Sequence, residues 1–197
     1  MRIKICGITN LEDALDAINA GADALGFVFY SKSPRYIKPL DARKIVDNLP
    51  PFIQTVGLFV NENEEFINKT SFDAKMQMVQ IIDDNNHTNF DLLNCKYIKV
   101  LRAQKEEDIQ NLDKNEYILV DAFVESFGGE GKRVALEWFK NIDTSKMILA
   151  GGLNENNLKE LSSLNLYGVD VSSGVEASKG KKDKQKMINF IKAANEI

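Results

Sequence analysis

Apolar and polar positions change their spacing along the chain in a regular way. Short runs rich in β-branched and aromatic residues, typical of buried strands, alternate with longer segments in which apolar residues recur at helical spacing. The runs predict eight strands, at Arg2–Cys6, Ala24–Phe29, Ile53–Phe59, Met76–Ile81, Tyr97–Val100, Tyr117–Asp121, Lys146–Ala150 and Gly168–Val171.

The segments between these runs predict helices. Asn10, and Asp41 or a neighbour, supply helix-start chemistry, while Gly21 lies where the first helix should end. The expected helices are Leu11–Ala20, Leu40–Asn48, Glu62–Thr70, a short one near Phe90, Gln104–Leu112, Leu136–Asn141, Asn154–Leu161 and Lys182–Asn195.

Strict alternation of strand and helix indicates parallel strands joined by helical crossovers, in either an open doubly wound sheet or a closed barrel. Eight repeats favour the barrel. The first strand runs into "CGITNLED", which lacks the glycine spacing of a dinucleotide-binding turn, so the open sheet loses support. The pattern therefore predicts one domain over residues 1–197, an α/β fold of the (β/α)8 or TIM-barrel type.

Composition limits the possible partners and compartments. The net charge is −4, with acidic and basic residues interspersed, so no nucleic-acid partner is expected. The longest apolar run, Ala24–Tyr30, is too short to span a bilayer, and no targeting segment is recognised at the N-terminus. Two cysteines, 89 positions apart, predict no disulfide framework or zinc site and fit a reducing cytoplasm.

In a barrel of this type, function lies at the carboxyl ends of the strands. Cys6 follows the first strand directly, and a cysteine there is either a small packing residue or a reactive thiol. A nearby Lys4, or the strand-end dipole, is expected to lower the pKa of a reactive thiol.

Two glycine-rich turns follow strands seven and eight, where barrels commonly bind phosphate. They read "LAGGLN" and "VDVSSGVE". Glycine lets backbone N–H groups approach an anion, serine hydroxyls add donors, and a short helix starting near Ser173 would point its positive end inward. Either turn alone could simply be a tight connection between a strand and the following helix. The presence of both turns at these positions favours a phosphate site.

Arg35 and Asp121 follow strands two and six. The arginine in "YSKSPRYI" offers a planar fork for a carboxylate, or it is a solvated surface residue. Asp121 follows a strongly apolar strand, so a raised pKa suited to a general acid is expected; a structural aspartate is the alternative. The glycines at 128, 129 and 131 suggest a lid, but this loop does not match a Walker A sequence.

Three other features have ordinary structural explanations. His87 lies in the polar stretch "DDNNHTN" and is expected to be solvated, and Cys95, before strand five, is expected to pack. The basic stretch "SKGKKDKQK" is interpreted as the exposed start of the last helix, with long-range attraction of an anionic substrate as a weaker use.

The ordered set of these motifs resembles the phosphoribosylanthranilate isomerase family of tryptophan biosynthesis. The likeness runs from "KICGIT" through "SPR", "VDA…GGEGK", "LAGGL" and "GVDVSSGVE" to "GKKD", and so covers the whole chain. It implies a single barrel that performs an Amadori rearrangement of an aminoaldose phosphate to an aminoketose phosphate, without metal or cofactor.

The same resemblance implies roles for individual residues. Cys6 is the general base, Asp121 is the general acid, and Arg35 holds the anthranilate carboxylate. The substrate phosphate is bound by the two turns, through Gly151, Gly152, Asp170, Ser172, Ser173 and Gly174. The expected partner is a small phosphosugar, and the protein is expected to be a cytoplasmic monomer or homodimer.

One position departs from the family pattern. Where the family usually has V-Q-L-H-G after strand four, this chain has "VQIID", so Ile82 and Asp83 replace a histidine and a glycine. Rival functions are another aminoaldose–ketose isomerase or an epimerase on a phosphosugar barrel, and a non-catalytic phosphosugar-binding barrel. The related histidine-pathway isomerase usually works with paired aspartates, so Cys6 argues against it.

Overall fold

Eight parallel strands close into a barrel in the order β1 to β8, with β1 paired to β8. The structure, a computed structural model, describes residues 1–113, 115–122 and 133–197. The (β/α)8 architecture predicted from the alternating pattern is therefore confirmed. The glycines at 128, 129 and 131, considered as a lid, lie outside the described residues.

The strands follow the apolar runs closely. Their bounds are β1 Arg2–Cys6, β2 Ala24–Val28, β3 Gln54–Val60, β4 Met78–Ile82, β5 Lys96–Ala103, β6 Ile118–Ala122, β7 Met147–Leu149 and β8 Gly168–Val171. Strands β1 and β8 begin and end where predicted. Strand β5 extends beyond its predicted end at Val100, because Arg102 and Ala103 continue the ladder opposite Asp121 and Ala122.

The helices agree less well with the prediction. They are α1 Leu11–Ala20, α2 Pro39–Val46, α3 Glu64–Ala74, α4 Glu106–Gln110 and α5 Lys184–Ala194. The predicted helices at Leu136–Asn141 and Asn154–Leu161 are instead 3₁₀ turns at Leu136–Phe139 and Leu158–Leu161, and the segment near Phe90 is a 3₁₀ turn at Phe90–Leu92. The first two predictions were wrong in helix type and length, whereas the helix near Phe90 is short as predicted.

The caps explain where the first two helices begin. The Asn10 side chain accepts a hydrogen bond from the Asp13 N–H, and Gly21 ends α1 in the left-handed region at φ 108°, both as expected. The expectation that Asp41 or a neighbour supplies the start of α2 is also confirmed. Helix α2 starts at Pro39 after Lys38, because proline fixes the backbone at the first helical position, and Asp41 lies inside the first turn.

The basic stretch "SKGKKDKQK" is only in part the exposed start of the last helix: residues 184–186 open α5 and are exposed, while the residues before them belong to a hairpin. Residues Glu176–Ser178 (β9) and Lys181–Lys182 (β10) form an antiparallel hairpin that turns at Gly180, where φ is 83°. Lys182 is 3% exposed. Helix α5 begins only after Asp183, whose side chain accepts from the Lys186 N–H. The hairpin thus carries a lysine inward beside the carboxyl end of the barrel.

The core has two layers. The larger one lies outside the strands, where Phe27, Phe59, Phe139 and Phe190 are fully buried. The inside of the barrel holds a smaller cluster around Ile98, Leu119 and Ala150. A cavity of about 1110 Å³ opens at the amino ends of the strands. Within the described ranges, no helix is both long and apolar enough to cross a bilayer.

Candidate active site

Cys6 is the last residue of β1 and is buried at the carboxyl end of the barrel. Lys4, two positions earlier, lies on the same face of the strand, because side chains alternate along a strand. The Lys4 ammonium donates to Asp170 Oδ1 at 2.8 Å, and these two residues are paired across β1 and β8. The thiol therefore shares its surroundings with a buried ion pair.

Burial raises the pKa of the Cys6 thiol above its usual range. Lys4, which hydrogen-bonds to the sulfur, and the more distant Lys182 act in the opposite direction, while Asp170 adds to the rise. Lys4 thus favours the thiolate as expected, but the expectation of a lowered thiol pKa was wrong, since the cost of burying the thiolate is larger.

Asp121 lies near the end of β6, and its Oδ1 accepts a hydrogen bond from the Ala122 N–H at 2.7 Å. Burial, followed by the negative charge of Asp170, raises its pKa to about 6. Arg102, its register partner on β5, and Lys4 limit this rise. The raised pKa has the direction expected from the apolar sequence around Asp121.

Arg35 is buried rather than a solvated surface arginine. Its Nε donates to Glu176 Oε1 at 3.0 Å and its Nη2 to Glu176 Oε2 at 2.6 Å, in a two-pronged ion pair. Lys182 Nζ lies 3.1 Å from the same Oε1. The fork is thus fixed along the edge formed by Nε and Nη2, and Nη1 takes part in neither bond.

The electrostatics of this cluster keep Glu176 ionised. Burial opposes its charge, but hydrogen bonds from Arg35 and Lys182 outweigh that cost, so the pKa of Glu176 lies below its usual range. Burial lowers the pKa of Lys182, and Glu176 partly offsets this. Lys182 also donates to the Ser172 carbonyl at 3.1 Å, which connects Arg35 to the turn after β8.

Gly7 brings the cysteine turn against these groups. Its φ is 79°, in the left-handed region that favours glycine. A Cβ at this position would lie 2.8 Å from Arg35 Cγ and 3.0 Å from Ser172 Oγ. The backbone after Cys6 therefore packs directly between the arginine and the turn after β8.

The two glycine-rich turns lie against each other. Gly151 and Gly152 follow β7 with φ of 85° and 63°. A Cβ at Gly174 would lie 1.9 Å from the Leu153 carbonyl oxygen, so only glycine permits this contact. The helix expected near Ser173 is a single 3₁₀ turn, Ser173–Val175.

Asp170 differs from the other members of the expected phosphate set. Its carboxylate is buried and accepts from Lys4 inside the barrel. A carboxylate repels phosphate, so the side chain of Asp170 is reassigned from phosphate binding to the charge pair beside Cys6.

The remaining sequence features lie away from these groups. His87 is exposed, and Cys95 packs against the core near the amino ends of the strands. In "VQIID", Ile82 is buried and Asp83 accepts from the N–H groups of Thr88 and His87, at 2.8 and 3.2 Å. The aspartate thus folds the loop after β4.

In the described part of the chain, no three or more His, Cys, Asp or Glu side chains are grouped so as to hold a metal ion. Sequence reasoning missed Glu176 and Lys182. The alternating charges in "VEASKGKK", with a glycine at position 180 for the turn, weakly predict a hairpin. Only this signal in the sequence could have indicated that Lys182 points inward.

Comparisons with known proteins agree over almost the full chain. The family described as N-(5'phosphoribosyl)anthranilate (PRA) isomerase matches residues 3–193. An N-(5'-phosphoribosyl)anthranilate isomerase from a Nitratiruptor species is 57% identical over 194 residues, 98% of each chain. A crystal structure of phosphoribosyl anthranilate isomerase in complex with reduced 1-(o-carboxyphenylamino)-1-deoxyribulose 5-phosphate has a TM-score of 0.83 and 38% identity, covering 100% of both chains. Monomers generated from the dimeric enzyme of Thermotoga maritima give a TM-score of 0.82 and 36% identity, also over 100% of both chains.

Proposed function

Because the chain belongs to the N-(5'-phosphoribosyl)anthranilate isomerase family, we propose that Cys6 and Asp121 are the base and the acid of its reaction. The protein is an isomerase of tryptophan biosynthesis. It converts N-(5-phosphoribosyl)anthranilate into 1-(2-carboxyphenylamino)-1-deoxyribulose 5-phosphate by an Amadori rearrangement.

The rearrangement requires two proton transfers on the sugar. Protonated Asp121 gives its proton to the ring oxygen, the bond from this oxygen to C1′ breaks, and a protonated Schiff base forms. The Cys6 thiolate then removes the proton from C2′, and the resulting enolamine relaxes to the ketone. One proton is gained and one is lost, so the product is an isomer of the substrate.

The raised pKa of Asp121 is the observation that carries this assignment. A carboxylic acid with a pKa of about 6 keeps a deliverable proton much nearer neutral pH than an ordinary aspartate. Cys6 lies at the same end of the closed barrel, on β1, while Asp121 lies on β6. The two groups can thus approach a bound sugar from different sides.

Phosphate and carboxylate binding belong to the other two clusters. Gly151, Gly152, Ser172, Ser173 and Gly174 offer backbone N–H groups and hydroxyls for the substrate phosphate. Arg35 holds the anthranilate carboxylate through the side of the guanidinium that does not contact Glu176. Glu176 and Lys182 keep the fork in this orientation.

The chain as a whole is proposed to be one domain and a cytoplasmic homodimer. Strand β1 pairs with β8, which joins the two ends of the chain. Phe52, between α2 and β3, is fully exposed, has a φ of 69° and borders the apolar cavity at the amino ends of the strands. A protrusion beside a cavity is self-complementary across a two-fold axis, and the Thermotoga maritima relative is described as dimeric.

The assignment of Cys6 and Asp121 is tested with Cys6→Ser and Asp121→Asn. General acid or base catalysis is typically worth about 10²–10⁴ in rate, so each variant should fold but lose at least about a hundredfold in turnover. Deuterium at C2′ should slow Cys6→Ser clearly and Asp121→Asn less, because ring opening precedes C2′ proton removal.

Cys95→Ser is the matched control, since it removes the other thiol at the opposite end of the barrel and should keep native turnover. A folded Cys6→Ser enzyme with near-native turnover would return Cys6 to a packing role.

A further inference from the structure

Lys4 is a buried ammonium in the wall of the barrel. Its side chain and that of Asp170 are each only 9% exposed, and their atoms are 2.8 Å apart. An ammonium removed from water is costly unless a counter-charge and hydrogen bonds replace the water. The carboxylate of Asp170 offsets the cost of burial, so the pKa of Lys4 is raised and the group stays charged.

Gly26 provides the space in which Lys4 and Cys6 meet. Cys6 and Gly26 are register partners on β1 and β2. A Cβ at Gly26 would lie 2.7 Å from Cys6 Sγ and 3.0 Å from Lys4 Nζ. The backbone of Gly26 is not in the left-handed region, so the glycine is needed for the room that it leaves.

The charged groups around the sulfur come from three strands. They are Lys4 on β1, Asp170 on β8 and Lys182 on β10. Asp121 on β6 interacts with two of them, Asp170 and Lys4. Lys182 is held by Glu176 and Ser172, and Arg35 is also held by Glu176. Among these cations, Lys4 is the one that hydrogen-bonds to the sulfur of Cys6.

We propose that Lys4 is a positioning residue for the base: its ammonium, held in place by Asp170, contacts the Cys6 sulfur and stabilises the thiolate. The proposal rests on the proposed role of Cys6. It assigns a function to the buried pair of Lys4 and Asp170 beside the thiol.

The effect of Lys4 is on the distribution of one proton between two groups. The active protein needs a thiolate on Cys6 and a proton on Asp121. Burial alone places the proton on the sulfur, because a thiolate in apolar surroundings is disfavoured. The ammonium lowers the free energy of the thiolate. It also lowers the pKa of Asp121, but only as the smallest of the influences on that group, whereas it contacts the sulfur directly. It therefore favours the thiolate more than the Asp121 carboxylate and increases the fraction of molecules in the active protonation state.

The experiment titrates the Cys6 thiol directly, by the ultraviolet absorbance of the thiolate, in a Cys95→Ser background without substrate. Lys4→Met is expected to raise the thiol pKa by about one unit or more, which is a tenfold loss of thiolate at neutral pH. Asp170→Asn is expected to shift the thiol pKa downward, since it removes a like charge. A simple packing defect would not shift the thiol pKa upward in Lys4→Met and downward in Asp170→Asn.

Kinetics provide a second readout. The level of kcat/KM at neutral pH should fall about tenfold in Lys4→Met, with little change in KM. It should stay level up to the new, higher thiol pKa, above which the variant and its parent converge. Arg2→Met, on the same strand but in an exposed pair with Asp23, should leave both the titration and the kinetics unchanged.

Several outcomes overturn the proposal. One is an unchanged or lower thiol pKa in folded Lys4→Met. The others are thiol pKa shifts of the same sign in Lys4→Met and Asp170→Asn, and a thiol pKa shift in Arg2→Met as large as that in Lys4→Met. If Lys4→Met does not fold, Lys4→Met/Asp170→Asn removes both charges, and its thiol pKa must still exceed that of the parent. Native turnover in Cys6→Ser defeats the base assignment without altering these titrations, so the two failures are distinguishable.

Discussion

Burial raises the pKa of Asp121 to about 6, and it also raises that of the Cys6 thiol above its usual range. In the proposed roles, the acid Asp121 therefore has the lower pKa, and the base Cys6, which must be ionised, has the higher one. Between these values the protein carries one proton, which lies mostly on Cys6. A constant minor fraction carries it on Asp121 and is active.

This order of pKa values predicts a plateau in the kcat/KM profile. Activity should rise with pH up to about 6, stay level, and fall only above the thiol pKa. A steady decline from about pH 6 upward would contradict this order. Since the substrate phosphate also titrates near pH 6, Asp121→Asn is the control: its residual activity follows the Cys6 thiolate alone, so it should show no break near pH 6 and should keep rising up to the thiol pKa.

Arg35 gives a prediction that separates binding from folding. Arg35→Ala should raise KM about tenfold or more with a smaller effect on kcat, because a charge-assisted hydrogen bond to the substrate carboxylate is lost. Arg35→Lys should also raise KM, since a lysine cannot form the planar fork. If thermal stability falls while KM is unchanged, Arg35 serves only its ion pair with Glu176.

Single residues show where sequence reasoning succeeds and where it fails. The position of Cys6, Asp121 and Arg35 at one end of the barrel could be predicted because each lies at or just after the end of a recognisable strand. Their proposed roles are a matter for the kinetic tests. Glu176 and Lys182 were missed because their role depends on a hairpin that folds across the barrel end. The local sequence shows that a lysine is charged, but it does not show whether contacts made elsewhere in the fold bury that lysine.

The turns after β7 and β8 act as one unit, because Gly174 contacts the backbone at Leu153. Gly174→Ala should push the turns apart and raise KM for the phosphorylated substrate about tenfold or more, since correctly placed backbone N–H groups are lost. Ser173→Ala, which adds no bulk, should have a smaller effect. An unchanged KM in a folded Gly174→Ala variant would contradict the assignment of the phosphate site to these two turns.

At the level of elements, strands were predicted better than helices. A strand buried on both faces needs a continuous apolar run, so its limits are visible in the sequence. In the segment after β7, the Asn154 side chain accepts from the Asn156 N–H, and the Asn157 side chain accepts from the Asn154 N–H and donates to the Gly152 carbonyl. These bonds compete with a regular helix, which explains the short 3₁₀ turn in place of the predicted helix.

For the molecule as a whole, the prediction is a dimer that joins the amino ends of two barrels. Phe52→Ser should convert the dimer to a monomer in light scattering, with activity retained because the proposed site lies at the other end. Phe72→Ser is the matched control, since Phe72 is also exposed but lies on α3, outside the cavity lining. A monomeric parent protein, or a dimer unaffected by Phe52→Ser, would contradict this arrangement.

The Lys4–Asp170 pair joins residues separated by 166 positions, and the Arg35–Glu176 pair spans 141. Both cross the junction between the beginning and the end of the chain. During translation, the strand that bears Cys6 emerges first, but its ammonium has no counter-charge until β8 has left the ribosome. A nascent chain that stops before β8 therefore carries Cys6 beside an ammonium that has no carboxylate to hold it in place.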